Sequence, residues 1–241
     1  MCIQSDVNES FDSMNPGPQK LLLFDIDGTL LSVKRGFMHQ LISRLLEEFN
    51  MPGVDLSQQY FAGRTDHDIF YSILKMGTTE VSESLFHSFK NAYIRTLQKE
   101  LLPAYVRLLS HVNDVISYCS DQKFHYGLLT GNFRESAYIK LQKAGIDRHF
   151  TFGVFGSDHS SRNELPAIAR STAEKHFKRS FVPRDLVIIG DTPKDIDCAR
   201  HYGAVSVAVA TGTYSYNELL RHKPDILLSD LATPSDWLQM I

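Results

Sequence analysis

Two aspartates sit where a buried strand should end. Leu21-Leu22-Leu23-Phe24 is a short apolar run that fits a strand covered on both faces, and it stops at Asp25-Ile26-Asp27-Gly28-Thr29. A carboxylate attached to a buried strand is costly unless it is paired or bound to a metal. Residues at i and i+2 of a regular strand share a face, but a glycine after them lets the chain leave the pleat and gives each carboxyl a separate task. The plainer alternative is that Asp25 and Asp27 only solvate a turn. A second acidic cluster weighs against it. Gly190-Asp191-Thr192-Pro193-Lys194-Asp195 ends another apolar run, Leu186–Gly190. Together these carboxylates suit a hard cation with oxygen ligands. A third run, Phe124 to Leu129, ends in Thr130-Gly131-Asn132, which offers a hydroxyl and backbone N–H groups to an anion.

The elements that must carry these residues alternate between strand and helix. Leu21–Phe24, Phe124–Leu129, Leu186–Gly190 and Val205–Ala210 read as strands, with Phe150–Phe155 and Ile226–Leu228 as shorter apolar stretches. Helical periodicity predicts helices near Tyr105–Tyr118, over 135–143 with Gly145 as its cap, across Leu165 to Phe177, and near Asp195–His201. The implied fold is α/β, a doubly wound parallel sheet whose ligands bind beyond the carboxyl ends of the strands. No buried strand is evident from about Val33 to Leu102. Apolar stripes there, Phe37 to Phe49 and Leu85 to Leu101, read as a helical insertion. The expected division is a loose tail over 1–19, a core over 20–32 and 104–241, and an inserted helical cap over 33–103.

In their order, Phe24-Asp25-Ile26-Asp27-Gly28-Thr29, Leu129-Thr130-Gly131-Asn132 and Gly190-Asp191-Thr192-Pro193-Lys194-Asp195 resemble the haloacid dehalogenase superfamily, over about Lys20 to Asp230. The resemblance implies a Rossmann-like core and phosphoryl transfer. Asp25 is then the nucleophile that forms an aspartyl-phosphate. Asp27 protonates the leaving oxygen and later activates water. Asp25, the carbonyl of Asp27 and Asp191 hold Mg2+, with Asp195 in support, and Thr130, Gly131 and Asn132 bind phosphate oxygens. The dehalogenase branch normally lacks the second aspartate, so Asp27 favours phosphate chemistry. The family usually has a Lys or Arg at the start of a helix before the Gly-Asp strand; the lysine-proline version is absent, and Arg162, in Ser161-Arg162-Asn163-Glu164, is the candidate. A cation at a helix start is unfavourable unless an anion is near. Ser32 stands where many relatives have an aspartate, outside the catalytic set.

The insertion is similar to the C1 cap of phosphoglycolate phosphatase and β-phosphoglucomutase relatives. In it, Gly63-Arg64-Thr65-Asp66-His67-Asp68 resembles the segment that faces the core. Arg64 could grip a second anionic group of the substrate; the bland alternative is a helix start capped by Thr65 or Asp66 with Arg64 paired locally. The expected function is a phosphatase for a small phosphorylated metabolite such as phosphoglycolate, a sugar phosphate or a nucleoside monophosphate. A phosphomutase is the alternative, and a non-catalytic binding protein is disfavoured because Asp25, Asp27, Thr130 and Asp191 are all present.

Composition agrees with an ordinary folded protein of 241 residues, 43% hydrophobic, with net charge -3. That charge, and eight basic against eight acidic residues in the insertion, give no reason to expect nucleic acid as a partner. No apolar run reaches a membrane span and no secretory h-region opens the chain. Three dispersed cysteines lack metal or disulfide spacing, which fits a cytoplasmic location. Monomer and homodimer are both open.

Overall fold

The computed structural model describes residues 20–56 and 61–241, so the expected tail lies outside the described residues. Every side chain of the first strand, β1 (Leu21–Phe24), is buried. Leu22 and Phe24 pack into one apolar cluster, whereas Leu21 and Leu23 join another across the sheet. Two covered faces explain why the strand shows no polar alternation. The chain continues through β2 (Leu31–Val33), α1 (Phe37–Glu48), α2 (Asp66–Gly77), α3 (Glu83–Glu100), β3 (Val106–Leu108), α4 (Val112–Asp121), β4 (His125–Leu129) and α5 (Arg134–Ala144). It ends with β5 (Gly153–Val154), α6 (Leu165–Phe177), β6 (Leu186–Gly190), α7 (Pro193–Tyr202), β7 (Val205–Val209), α8 (Tyr216–Arg221), β8 (Ile226–Leu228) and α9 (Pro234–Leu238).

Six strands form one sheet in the order β5-β4-β1-β6-β7-β8, and all its pairings are parallel. The fold is therefore the expected α/β type. β1 lies between β4 and β6, the two other strands that end in reactive residues. The chain leaves β1 toward β4 and β5, then returns to build β6, β7 and β8 on the other side. That reversal makes the carboxyl end of β1 a switch point, where open α/β sheets bind ligands.

Helices α1, α2 and α3 bury their apolar stripes against one another, with Leu41, Leu45, Phe70, Phe89, Tyr93 and Leu97 inside. Phe133, just after the β4 motif, enters the same cluster and stands 5.3 Å from the Phe70 ring, edge to face. The inserted helices thus rest their apolar core on the loop that carries Thr130.

One expected helix is corrected. Residues 105–118 are not continuous helix. Val106–Leu108 is β3, paired antiparallel with Leu31–Val33, and α4 begins only at Val112 after His111, whose φ is 63°. Three residues are too few to show a period of two, and their partner is remote in sequence. The same shortness hid β2, α8 and α9. The ribbon of β2 and β3 joins both passages between sheet and inserted helices. Among the described residues, no helix is long and apolar enough to cross a membrane.

Candidate active site

The three strand ends converge. The amide of Asp25 still donates to Ile189 O at 2.9 Å, so the sheet fixes its backbone, while its side chain stands beyond the last paired residue. Gly28 follows with φ +84°, and a Cβ there would come within 2.3 Å of Asp191 Oδ2. Gly212 is as tight: its Cβ would meet the same oxygen at 1.7 Å. Two glycine backbones therefore close directly around the Asp191 carboxylate, whose described hydrogen-bond partner is Thr29 Oγ1 at 3.4 Å.

Carboxylate oxygens of Asp25, Asp191 and Asp195 lie within 4.8 Å of one another, and all three residues are buried. Arg162 faces this cluster from the short turn before α6. It approaches Asp25 Oδ2 at 3.2 Å and bonds Asp195 Oδ1. Asp195 also accepts from the Thr192 amide at 3.0 Å and hydroxyl at 2.7 Å, closing a capping box at the start of α7. One of its oxygens thus caps a helix while the other holds Arg162. Three carboxylates with one guanidinium are under-neutralised, and such oxygens are the natural ligands of a divalent cation.

Burial first, and that imbalance second, set the titration of the cluster. Burial pushes Asp25 from 3.8 to about 6; Arg162 opposes the rise and Asp195 adds to it. Asp191 is driven well above the usual carboxylate range by burial, then by Asp195 and Asp25. A value raised in the folded state contributes stability that is complete below the unfolded value of 3.8 and is lost as pH rises through about 6. A bound cation favours the ionised groups and competes with protons. A divalent cation bound here should therefore raise the melting temperature more at about pH 8 than at about pH 5. Thermal melts with Mg2+ and with chelator check this; a rise that shrinks with pH contradicts it.

Asp27 stands apart from the triad. Its Oδ2 accepts from Asn132 Nδ2 at 2.8 Å and from Lys140 Nζ at 2.6 Å. Asn132 Oδ1 accepts from the same ammonium at 2.6 Å, and its Nδ2 reaches Thr130 Oγ1 at 2.9 Å. Thr130 in turn stands beside Asp25 and opposes the rise in its pKa. Asn132, expected at the phosphate, thus directs its side chain to Asp27. Asp25, Asp27, Thr130, Asn132, Arg162 and Asp191 line one cavity of about 400 Å³, to which the inserted helices add Met38, Ile42, Phe70 and Tyr93.

The Gly63–Asp68 segment lies on the core. Asp66 N donates to Gly131 O at 2.7 Å, Thr65 Oγ1 to Ser160 O at 2.6 Å, and the Asp66 carboxylate accepts from Phe133 N at 2.8 Å and Ser136 Oγ at 3.0 Å. A Cβ on Gly131 would sit 2.1 Å from Arg64 O, a clash of backbone that no rotamer relieves. Gly131→Ala is therefore expected to push this segment off the core and destabilise the chain by about 1–3 kcal/mol. Hydrogen exchange at the Asp66 amide checks it: protection should fall in the variant, and unchanged protection contradicts the contact. Arg64 lines the cavity, yet its Nε bonds Asp68 Oδ2 at 2.7 Å and a terminal nitrogen bonds Ser72 Oγ at 2.7 Å. Thr65 caps α2, accepting from Asp68 N. Arg64 thus pairs within its own segment while also lining the cavity.

A family model for haloacid dehalogenase-like hydrolases matches residues 22–209. The chain belongs to this family. As a haloacid dehalogenase-like hydrolase it is an enzyme with relatives named phosphatases. It is 27% identical over 151 residues to a phosphoglycolate phosphatase of Synechococcus elongatus, covering 61% of this chain and 66% of that one. It is 24% identical over 234 residues to the pyrophosphatase PpaX of Bacillus pumilus, covering 95% and 99% of the two chains. A solved structure described as a predicted phosphoglycolate phosphatase from Haemophilus somnus aligns with TM-score 0.67 at 22% identity, over 92% of this chain and 97% of that chain. A predicted phosphatase from Clostridium acetobutylicum aligns with TM-score 0.69 at 18% identity, over 92% and 99%. These two structural likenesses carry the fold.

In this hydrolase, the residues expected from the three motifs share one site, and Arg162 reaches it from the looser fourth segment. Sequence reasoning missed Lys140. The available signal was its position four residues after Ser136 on α5: both are polar, both share one helix face, and both are buried.

Proposed function

We propose that this hydrolase is a Mg2+-dependent phosphatase of a small phosphorylated metabolite, working through an aspartyl-phosphate on Asp25. The observation that carries the reading is one cavity in which Asp25 lies between Arg162 and the Asp191 carboxylate while Asp27, two residues on, is held separately. The donor set fits a hard divalent cation: Asp25, Asp191 and the Asp27 carbonyl would hold it, with Asp195 behind. The cation would offset the repulsion between carboxylate and phosphate.

Asp25 attacks phosphorus as the bond to the leaving oxygen breaks. Asp27 gives that oxygen a proton, and then takes one from the water that cleaves the aspartyl-phosphate. Arg162, the Thr130 hydroxyl and the backbone N–H groups of Gly131 and Asn132 hold the phosphate oxygens as charge moves across them. Arg64, at the cavity wall and braced by Asp68 and Ser72, is the candidate for contact with the rest of the substrate. The cavity is of a size for small metabolites, and the relatives' names put phosphoglycolate and pyrophosphate beside sugar phosphates and nucleoside monophosphates as candidates. The cytoplasm is the proposed compartment.

The test is phosphate release across a panel of these compounds, with Mg2+ and with chelator. Release that needs Mg2+ and concentrates on one compound class supports the reading. No release from any compound contradicts it.

A further inference from the structure

Lys140 is a buried cation in the middle of α5, 4% exposed, and no part of the reaction above uses it. A buried ammonium is costly unless fully paired. This one donates to Asp27 Oδ2 and Asn132 Oδ1, each at 2.6 Å. An ammonium only donates, so it fixes the amide orientation: Asn132 Oδ1 faces Lys140, and Nδ2 is turned to the same Asp27 oxygen at 2.8 Å. Oδ2 of Asp27 is thus taken by two donors set by one another. Oδ1 has no partner among the described residues. Both side chains border the cavity, but Asp27 keeps 42% of its exposure and Lys140 only 5%.

We propose that Lys140, acting with Asn132, is a positioning residue that clamps one oxygen of Asp27 so that the other always faces the leaving group. The proposal rests on the reading of Asp27 as proton donor. As the phosphorus–oxygen bond to the leaving group breaks, the proton passes from Asp27 Oδ1 to that oxygen. Asp27 is left anionic, with its charge held on the oxygen bonded to Lys140 and Asn132. When water attacks the aspartyl-phosphate, Oδ1 takes a proton from it, the bond to Asp25 breaks, and Asp27 and Asp25 return to their starting states. Lys140 remains charged throughout. A carboxylate free to rotate about its Cα–Cβ and Cβ–Cγ bonds would offer the proton in few of its orientations.

This assigns Lys140 an effect that depends on the leaving group. An alkoxide leaves poorly without a proton, whereas p-nitrophenolate leaves without one. The experiment compares kcat/KM, which reports the first chemical step, for alkyl phosphates and p-nitrophenyl phosphate in the wild type, Lys140→Met, Lys140→Arg and Asn132→Ala. Lys140→Met is expected to lose about 10- to 100-fold more on alkyl phosphates than on p-nitrophenyl phosphate. Lys140→Arg should recover part of the difference, and Asn132→Ala should show the same slant. Losses equal at both ends of the series overturn the proposal while leaving the phosphatase reading intact. Should thermal melts show Lys140→Met unfolded, Asn132→Ala and Lys140→Arg decide the matter by the same criterion. A wild type that hydrolyses none of the series overturns both readings.

Discussion

Asp25→Asn is expected to lower turnover by at least about 10⁴-fold, the scale seen when a covalent nucleophile is removed, without loss of stability. The amide keeps the shape of the carboxylate but is a poor nucleophile toward phosphorus. Stability should move the other way. Asp25 is buried beside two further carboxylates, and its value of about 6 means that its ionised form is disfavoured in the fold. The wild type therefore loses stability as pH rises from 3.8 through about 6, and the variant does not carry that loss. In chelator, the variant should melt at or above the wild-type temperature at neutral pH, and the gap should close in acid. Phosphate release and melting curves at several pH values read both effects. Wild-type turnover in the folded variant would remove Asp25 from the chemistry.

Arg162→Met carries the largest expected effect on stability. The guanidinium is buried, and it joins Asp25 to Asp195. Removing one member of a buried ion network leaves charges without compensation, which costs about 3–5 kcal/mol. The loss should appear as a lower denaturation midpoint, largest in chelator, because a divalent cation supplies some of the missing charge. Activity should fall too, by about 10²–10³-fold, the usual result of deleting a preorganised group that faces developing charge. Arg162→Lys should recover little, since an ammonium cannot span both carboxylates in the plane of a guanidinium. A midpoint change worth less than about 0.5 kcal/mol, the range of ordinary surface substitutions, would show that the network is not structural.

The parts legible in the sequence share a physical cause. Leu21–Phe24 and Leu186–Gly190 are continuous apolar runs because the sheet is covered on both faces, and their ends are marked by aspartates that such runs cannot otherwise tolerate. Gly145 was readable as the end of α5, and it has φ +75° there. Arg162 could be found because a cation at a helix start asks for an anion, and Asp25 and Asp195 are those anions. What could not be read depends on remote pairing. β2 and β3 are three residues each and define one another only across the inserted helices. Lys140 lies in a run, Arg134-Glu135-Ser136-Ala137-Tyr138-Ile139-Lys140, where a polar block and an apolar block follow one another with no clear stripe. Its partner Asp27 is 113 positions away. Arg64 was read as either locally paired or facing the cavity, and it is both, bonded to Asp68 and Ser72 at the cavity wall.

The central claim is that phosphate passes through Asp25. Rapid acid quenching of the Mg2+-loaded enzyme during turnover of its best substrate, followed by peptide mass spectrometry, tests it most directly. A hydroxylamine-labile phosphoryl adduct is expected on the peptide containing Asp25, formed and lost at rates compatible with turnover and absent from Asp25→Asn. Steady phosphate release with no adduct at any quench time, or an adduct confined to another residue, would contradict it.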